Sequence, residues 1–231
     1  MAQLVNAAGT AGPAARRALG LALAGAGVCG VAVGAALATT GAVQVAWLAV
    51  AAAGLLGAAV MAEKGRTIRQ NDLKLKLFLA LLASRLPRTW YLLGDLTVAP
   101  AWGEPVPIWA VAVGPGGLVV VEPCTATGEI VPCGTVWLTG RPGRLRPVPS
   151  PAVRCQLAAE ALRSVAGQPD LPVQPMVVLT DLNSVYHPAE TGALVVGAPH
   201  AAGAIRQCLA GQVLPAGAIL QVVSQLSSFC A

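Results

Sequence analysis

Charged side chains are scarce in this sequence. Only 11% of its 231 residues are Asp, Glu, Lys or Arg, whereas 55% are hydrophobic. Histidine occurs only as His187 and His200, and there is no internal repeat and no tract of like charge. From position 63 onward, 13 basic residues face 10 acidic ones. A surplus of three positive charges does not demand a nucleic-acid partner.

The six cysteines lack the short paired spacing of a zinc site. Cys29 lies in an apolar run, and the other five are scattered with no C-x-x-C pair: Cys124, Cys133, Cys155, Cys208 and Cys230. A structural zinc site typically uses closely paired ligands, and neither histidine has such a partner. We predict reduced, mostly buried thiols and no metal site. A Cys124–Cys133 disulfide across a hairpin is the alternative.

Residues 18–38 and 42–62 contain no charged side chain. Each run has the ~20 residues that cross a ~30 Å hydrocarbon core as a helix, and only three residues separate the runs. Their small side chains allow the helices to pack against each other or against a second copy. Basic residues at 16–17 and 64–69 flank the pair. The sequence therefore predicts a multi-pass protein of the cell membrane with both termini cytoplasmic.

Two other interpretations of these runs remain. The first run resembles a signal peptide with an A-L-A cleavage site at 36–38, and both runs together resemble a buried soluble helical hairpin. The first run exceeds the usual ~7–15 apolar residues of a signal peptide, and a second run follows at once. Both features favour the transmembrane hairpin.

The chain divides into four predicted parts. Residues 1–17 form a disordered cytoplasmic tail, and residues 18–62 form the transmembrane hairpin. Residues 63–88 carry seven basic and two acidic side chains, and leucines at helical spacing predict a basic juxtamembrane helix over 67–86. Residues 89–231 form an α/β domain.

Strands and helices alternate in the predicted α/β domain. The strands cover 90–98, 108–113, 118–121, 128–138, 173–180 and 192–196, and the helices cover 152–166, 199–209 and 215–227. Residues 139–151 are predicted as a Gly/Pro loop. In the first helix, Val153, Leu157, Ala161 and Val165 share one face, and Ser150 is a candidate N-cap. This order predicts a mixed central sheet flanked by helices.

The stretch I-W-A-V-A-V-G-P-G-G-L-V-V-V-E-P-C-T-A-T-G at 108–128 reads as a β-hairpin. Two apolar runs rich in β-branched residues flank G-P-G-G at 114–117, where proline fixes φ and glycine permits the turn. Glu122 ends the second strand, two residues before Cys124. An acid-x-lysine element stands at this place in many metal-dependent nucleases, but here the lysine is absent.

This hairpin resembles the nuclease-related domain (NERD), a restriction-endonuclease-like α/β domain of bacteria and other organisms. Members typically show an isoleucine-aspartate-histidine opening, a run of valines, a Gly-Pro-x-Gly turn, an apolar strand and an acid-x-lysine ending. Similarity continues in Y-L-L-G-D-L at 91–96, in Gly128 followed by Trp137, in Ser150-Pro151 with Gln156, and at 172–181. The resemblance spans roughly residues 73–209 and implies a metal-dependent nuclease fold.

Several positions depart from the family pattern. The metal-binding aspartate falls on Trp109, the histidine on Ala110 and the lysine on Cys124, while Glu122 and Gln156 keep the family's residue types. Mg²⁺ takes about six oxygen ligands, commonly with one or two carboxylates. We predict a vestigial, inactive site with no cofactor. The tryptophan either fills the vacant site as core or stacks on a base.

The sequence therefore favours a membrane-anchored, catalytically inactive nuclease-related domain that binds nucleic acid or protein on the cytoplasmic face. Arg141, Arg144 and Arg146 are candidate contacts to a phosphate backbone. One alternative is a residual Mg²⁺-dependent nuclease that recruits Asp95 with Glu122. Another is a membrane scaffold with no nucleic-acid role, which binds a protein partner or a second copy of itself.

Overall fold

The computed structural model describes residues 3–5, 24, 27–29, 31–33, 35–36, 38, 41–101, 103–166, 171–209 and 213–229. The chain forms two compact units. One comprises Met1–Gly9 and Lys76–Ala231, and the other comprises Thr10–Leu75. The first unit contains both sheets, together with Trp109, Glu122 and Cys124.

One long helix, α1 (Ala42–Arg85), follows Gly41, whose φ is 73°. The predicted second span and the predicted basic helix are therefore continuous, so a helix start at 67 is wrong. The described residues of the first predicted span, among them 27–29 and 31–33, are helical, and its other residues lie outside the described part. Within the described residues, no helix is long and apolar enough to cross a membrane. The transmembrane hairpin stays a prediction.

The central sheet has six strands: β1 (Gln3–Val5), β2 (Tyr91–Val98), β3 (Val106–Gly114), β4 (Gly117–Cys124), β8 (Val173–Leu179) and β10 (Leu194–Gly197). Their order in the sheet is β1-β2-β3-β4-β8-β10. Strands β2, β3 and β4 are antiparallel neighbours, whereas β1–β2, β4–β8 and β8–β10 pair in parallel. This mixed sheet confirms the predicted class. A disordered tail is wrong for residues 3–5, because they pair with β2.

A second, four-stranded sheet was not predicted. Its order is β7-β6-β5-β9, with β5 (Glu129–Cys133), β6 (Val136–Arg141), β7 (Arg144–Pro149) and β9 (Val185–Tyr186). The Gly/Pro loop predicted at 139–151 is thus mostly a β-hairpin. Pro147 and Pro149 are tolerated because β7 is an edge strand, where a missing N–H breaks no interior ladder.

Helices cover both faces of the central sheet. On one face of the sheet, α2 (Pro151–Val165) and α4 (Ala216–Ser227) pack on side chains of β2, β3, β4 and β8, and we call this side the α2 face. On the opposite face, α3 (Ala201–Cys208) and the last turns of α1 pack on the alternate side chains of the same strands, and we call this side the α3 face. A 3₁₀ turn, Ala198–His200, leads into α3. Helices α2, α3 and α4 confirm the predicted helices at 152–166, 199–209 and 215–227 within a few residues.

The buried side of α2 differs from the predicted one. Cys155, Ala158 and Leu162 are buried, whereas Leu157 is 44% exposed. The Cys155 thiol lies 3.4 Å from the carbonyl oxygen of Val120, so small side chains bring α2 close to the sheet. Ser150 caps the helix as predicted, because its side chain accepts a hydrogen bond from the Val153 amide at 3.4 Å.

Candidate functional site at the end of β4

The alternation of side chains along β3 is interrupted beside this site. Val111 packs on the α2 face and Ala110 on the α3 face, as a strand requires. Trp109 then also packs on the α3 face, and Ile108 on the α2 face. In the neighbouring strand, Asp95 has a φ of 54°, a left-handed conformation that is uncommon outside glycine. The side chain at 109 is thereby turned away from the α2 face.

Trp109 stacks on Phe78 of α1. The ring centroids are 5.9 Å apart and the ring planes differ by 24°, a geometry that aromatic pairs favour. Trp109 is half-buried in the packing between α1 and the sheet. The aromatic partner of Trp109 in the structure is thus another side chain of the same chain.

Glu122 forms an ion pair with Arg154 of α2. The Glu122 Oε1 and Arg154 Nη2 atoms are 2.7 Å apart, and the two side chains are 17% and 56% exposed. Burial raises the pKa of the Glu122 carboxyl above its ordinary value, and the nearby guanidinium only partly offsets that effect. Glu122 is therefore held by a cation of the same chain.

Glu122 and Trp109 point to opposite sides of the sheet. The ladder between β3 and β4 starts at the pair Ala110–Val121, and Trp109 and Glu122 each lie one residue beyond that pair. Arg154 reaches Glu122 from α2, whereas Trp109 contacts α1 on the α3 face. A replacement of the tryptophan by an acid would thus not by itself rebuild a pair of carboxylates.

Cys124, the residue expected at the position of the family's lysine, is buried. Burial raises the pKa of its thiol and raises the pKa of Cys155 to about 12, so neither is a thiolate at neutral pH. Cys124 and Cys133 are both free. The alternative disulfide is wrong, since Cys133 lies exposed on β5 while Cys124 packs in the core.

The side-chain amide of Gln156 contacts the segment before β10. Its Nε2 donates a hydrogen bond to the Thr191 carbonyl oxygen at 3.1 Å. The next residue, Gly192, has a φ of 66°, and a Cβ there would overlap the Gln156 amide. Gln156 therefore fixes the segment before β10 to α2.

The residues present do not fit a Mg²⁺ site. Trp109, Ala110 and Cys124 offer no hard oxygen ligand, and Glu122 is already paired with Arg154. In the described part of the chain, no group of three or more His, Cys, Asp or Glu side chains is placed to hold a metal ion. We therefore derive no metal-dependent step from this site.

The three candidate nucleic-acid contacts share one face of the β6–β7 hairpin. Arg141 pairs directly with Arg144, and Arg146 pairs with Thr139, so all three side chains lie on the same side of the second sheet. All three are exposed. We call them the arginine face. Glu129, the acid of β5, pairs with Gly140 and so lies on the opposite side.

The arginine face is anchored in the core at its other end. Trp137 precedes Thr139 by two residues on the same side of β6, is fully buried, and contacts Tyr186 with ring centroids 5.8 Å apart. Its indole Nε1 is buried and has no hydrogen-bond partner among the described residues. The same face thus runs from a buried tryptophan to solvent-exposed arginines.

Sequence reasoning missed Arg154. It lies two residues before Gln156, but nothing local shows that the first turn of α2 reaches the end of β4. A basic residue in the first turn of a helix is unfavourable for the helix dipole. That mismatch was the available signal that Arg154 has a partner elsewhere.

The comparisons with known proteins agree with part of the resemblance. No curated protein and no solved structure gives a significant match. The family model described as "Nuclease-related domain" matches residues 71–180. The matched stretch includes β2 to β8, α2, Glu122 and the arginine face, whereas residues 181–209 of the expected resemblance lie outside it. Residues 71–180 are thus similar to the nuclease-related domain (NERD), and we call them the nuclease-related region.

Proposed function

We propose that the nuclease-related region binds nucleic acid without cleaving it. The observation that carries this proposal is the Glu122–Arg154 ion pair. The Arg154 guanidinium lies 2.7 Å from Glu122, the only remaining acid of the motif. It therefore occupies the carboxylate that a divalent cation would need as a ligand. Binding a metal there would require displacement of Arg154 and would still provide only one carboxylate.

The arginine face supports a phosphate backbone as the ligand. Arg141 and Arg144 stand directly opposite each other, and like charges in such a cross-strand pair oppose folding. An anionic partner would relieve that repulsion. Three guanidinium groups on a narrow hairpin match contacts that position a protein on nucleic acid, and such contacts release counterions and make affinity salt-dependent.

The test is a gel-shift titration of the full chain with labelled DNA and RNA in the presence of Mg²⁺ across a salt series. The expected result is a shift of intact nucleic acid that weakens steeply as salt rises. Shortened product that disappears in Glu122→Ala would contradict the proposal and support the residual nuclease. No shift at low salt would contradict nucleic-acid binding altogether.

Anchoring to the membrane is part of the proposal and rests on the sequence. The charge-free runs at 18–38 and 42–62 and the basic residues around them predict a hairpin with both termini in the cytoplasm. Extraction of cell membranes with alkaline carbonate tests it. The full chain is expected to stay with the membrane pellet, and its recovery in the supernatant would contradict the anchor.

A protein-binding scaffold is the second candidate function. Leu77 and Leu81 lie one helical turn apart on α1 and are 62% and 46% exposed. Exposed leucines at this spacing suit a helical partner or a second copy of the chain. Salt-insensitive association with a protein, together with no shift of nucleic acid, would favour this function over the first.

A further inference from the structure

A shallow cavity of about 880 Å³ lies beside β10 and α3, away from the end of β4. Its walls include Arg85 at the end of α1, His200 and Arg206. Among the residues that the structure describes, no acidic side chain lines it. Neither the ion pair of Glu122 nor the arginine face takes part in this cavity.

The two arginines keep most of their donors available. Arg85 donates one hydrogen bond from Nη1 to the Pro199 carbonyl oxygen, and Arg206 donates one from Nε to the Ala202 carbonyl oxygen, each at 3.3 Å. A guanidinium has five N–H donors. These bonds orient both groups, and among the described residues no carboxylate forms an ion pair with either.

The rest of the wall is small or apolar. Ala202, Gly203 and Ala204 leave space on the α3 side, while Leu194 and Val196 of β10 provide apolar contact. The volume falls within the range of about 300–1,000 Å³ that small-molecule sites occupy. A cluster of positive charge beside an apolar wall suits a ligand with one anionic end and one less polar end.

We propose that this cavity binds a small molecule that carries a phosphate group. Guanidinium groups match phosphate oxygens with paired hydrogen bonds, and a phosphate monoester carries a charge of about −1.5 to −2 at neutral pH. Arg85 and Arg206 hold the phosphate, and the organic part lies against Leu194 and Val196. This site is independent of nucleic-acid binding by the arginine face.

Isothermal titration of the full chain at fixed ionic strength tests the proposal. The probes are pyrophosphate, AMP and glycerol 3-phosphate, with adenosine as the uncharged match to AMP. At least one phosphate compound is expected to bind, adenosine is not, and Arg85→Gln and Arg206→Gln each weaken binding about tenfold or more. Arg88→Gln, an exposed arginine outside the cavity, leaves affinity unchanged.

A second variant tests the cavity without a change of charge. A Cβ at Gly203 meets no atom within 4 Å, and leucine is a better helix former than glycine, so Gly203→Leu is expected to fold and to fill the cavity. Loss of phosphate binding in folded Gly203→Leu supports the site. Failure of all three phosphate probes, or unchanged affinity in both arginine variants and in Gly203→Leu, would overturn it.

Discussion

The end of β4 and the β6–β7 hairpin differ in the surroundings of their arginine side chains. At the end of β4, Arg154 is paired with the partly buried Glu122. On the hairpin, Arg141, Arg144 and Arg146 share one exposed face, and the nearest strand's acid points to the other side. The first region is closed by its own charges, whereas the second is open to an anion.

This difference is the basis of the proposal that the nuclease-related region binds nucleic acid without cleaving it. Catalysis by a divalent cation needs several oxygen ligands in one place. Phosphate binding needs only exposed cations at suitable spacing. In the proposed function, the tryptophan on the other face and the ion pair account for the absence of cleavage, and the arginine face provides the contacts to phosphate.

The largest expected effect follows from removal of the charge on the arginine face. We predict that the variant R141Q/R144Q/R146Q binds nucleic acid roughly a hundredfold more weakly, at about 1 kcal/mol for each exposed contact. The slope of log affinity against log salt should fall by about three. Gel-shift titrations measure both quantities, and Arg88→Gln is the matched control. Equal affinity of the triple variant and the natural chain would contradict the proposal that the arginine face binds nucleic acid.

Arg154→Gln tests the closed region. Loss of the guanidinium leaves a partly buried carboxylate without its partner, so the free energy of unfolding should fall. The expected loss is about 1 kcal/mol, because Arg154 is 56% exposed and solvent screens the pair. Urea denaturation measures the change. Nucleic-acid affinity should stay unchanged, and a loss as large as that of the triple variant would assign binding to the end of β4.

The smallest effect is a dependence on pH that Glu122→Gln removes. Burial raises the folded-state pKa of Glu122 above its ordinary value of 4.5. The folded protein therefore binds this proton more tightly than the unfolded chain does. The stability that this group contributes is present below about pH 4.5 and is lost as pH rises through the raised pKa.

Urea denaturation of the natural chain and of Glu122→Gln between pH 4 and 7 measures this effect. The unfolding free energy of the natural chain minus that of the variant should decrease as pH rises. An increase over the same range would mean that the Arg154 guanidinium outweighs burial, and it would reverse the sign given to this pair.

Strong local signals made part of the fold predictable. The central hairpin combines β-branched runs with a Gly-Pro-Gly-Gly turn, and β3 and β4 form there as predicted. The class of the sheet and the helices near 151, 201 and 216 also follow from the order of apolar periods.

Other features depend on contacts between distant residues. Alanine-rich α2 has several faces of similar hydropathy, so only packing on the sheet selects Cys155 and Leu162 for burial. Prolines at 147 and 149 led to the prediction of a loop in place of β7. An edge strand tolerates such prolines, and the sequence does not show which strand lies at an edge. The direction of Trp109 depends on a local change in strand phase beside Asp95, which no periodic pattern shows.

Amide hydrogen exchange of the full chain, with and without a DNA duplex at low salt, tests the central claim most directly. Strand β7 is an edge strand, and its amides should gain protection on binding if the arginine face contacts the duplex. We predict protection in peptides that cover residues 136–149 and none in peptides that cover 118–126. Protection confined to 118–126 would show that nucleic acid binds at the end of β4 and would contradict the account.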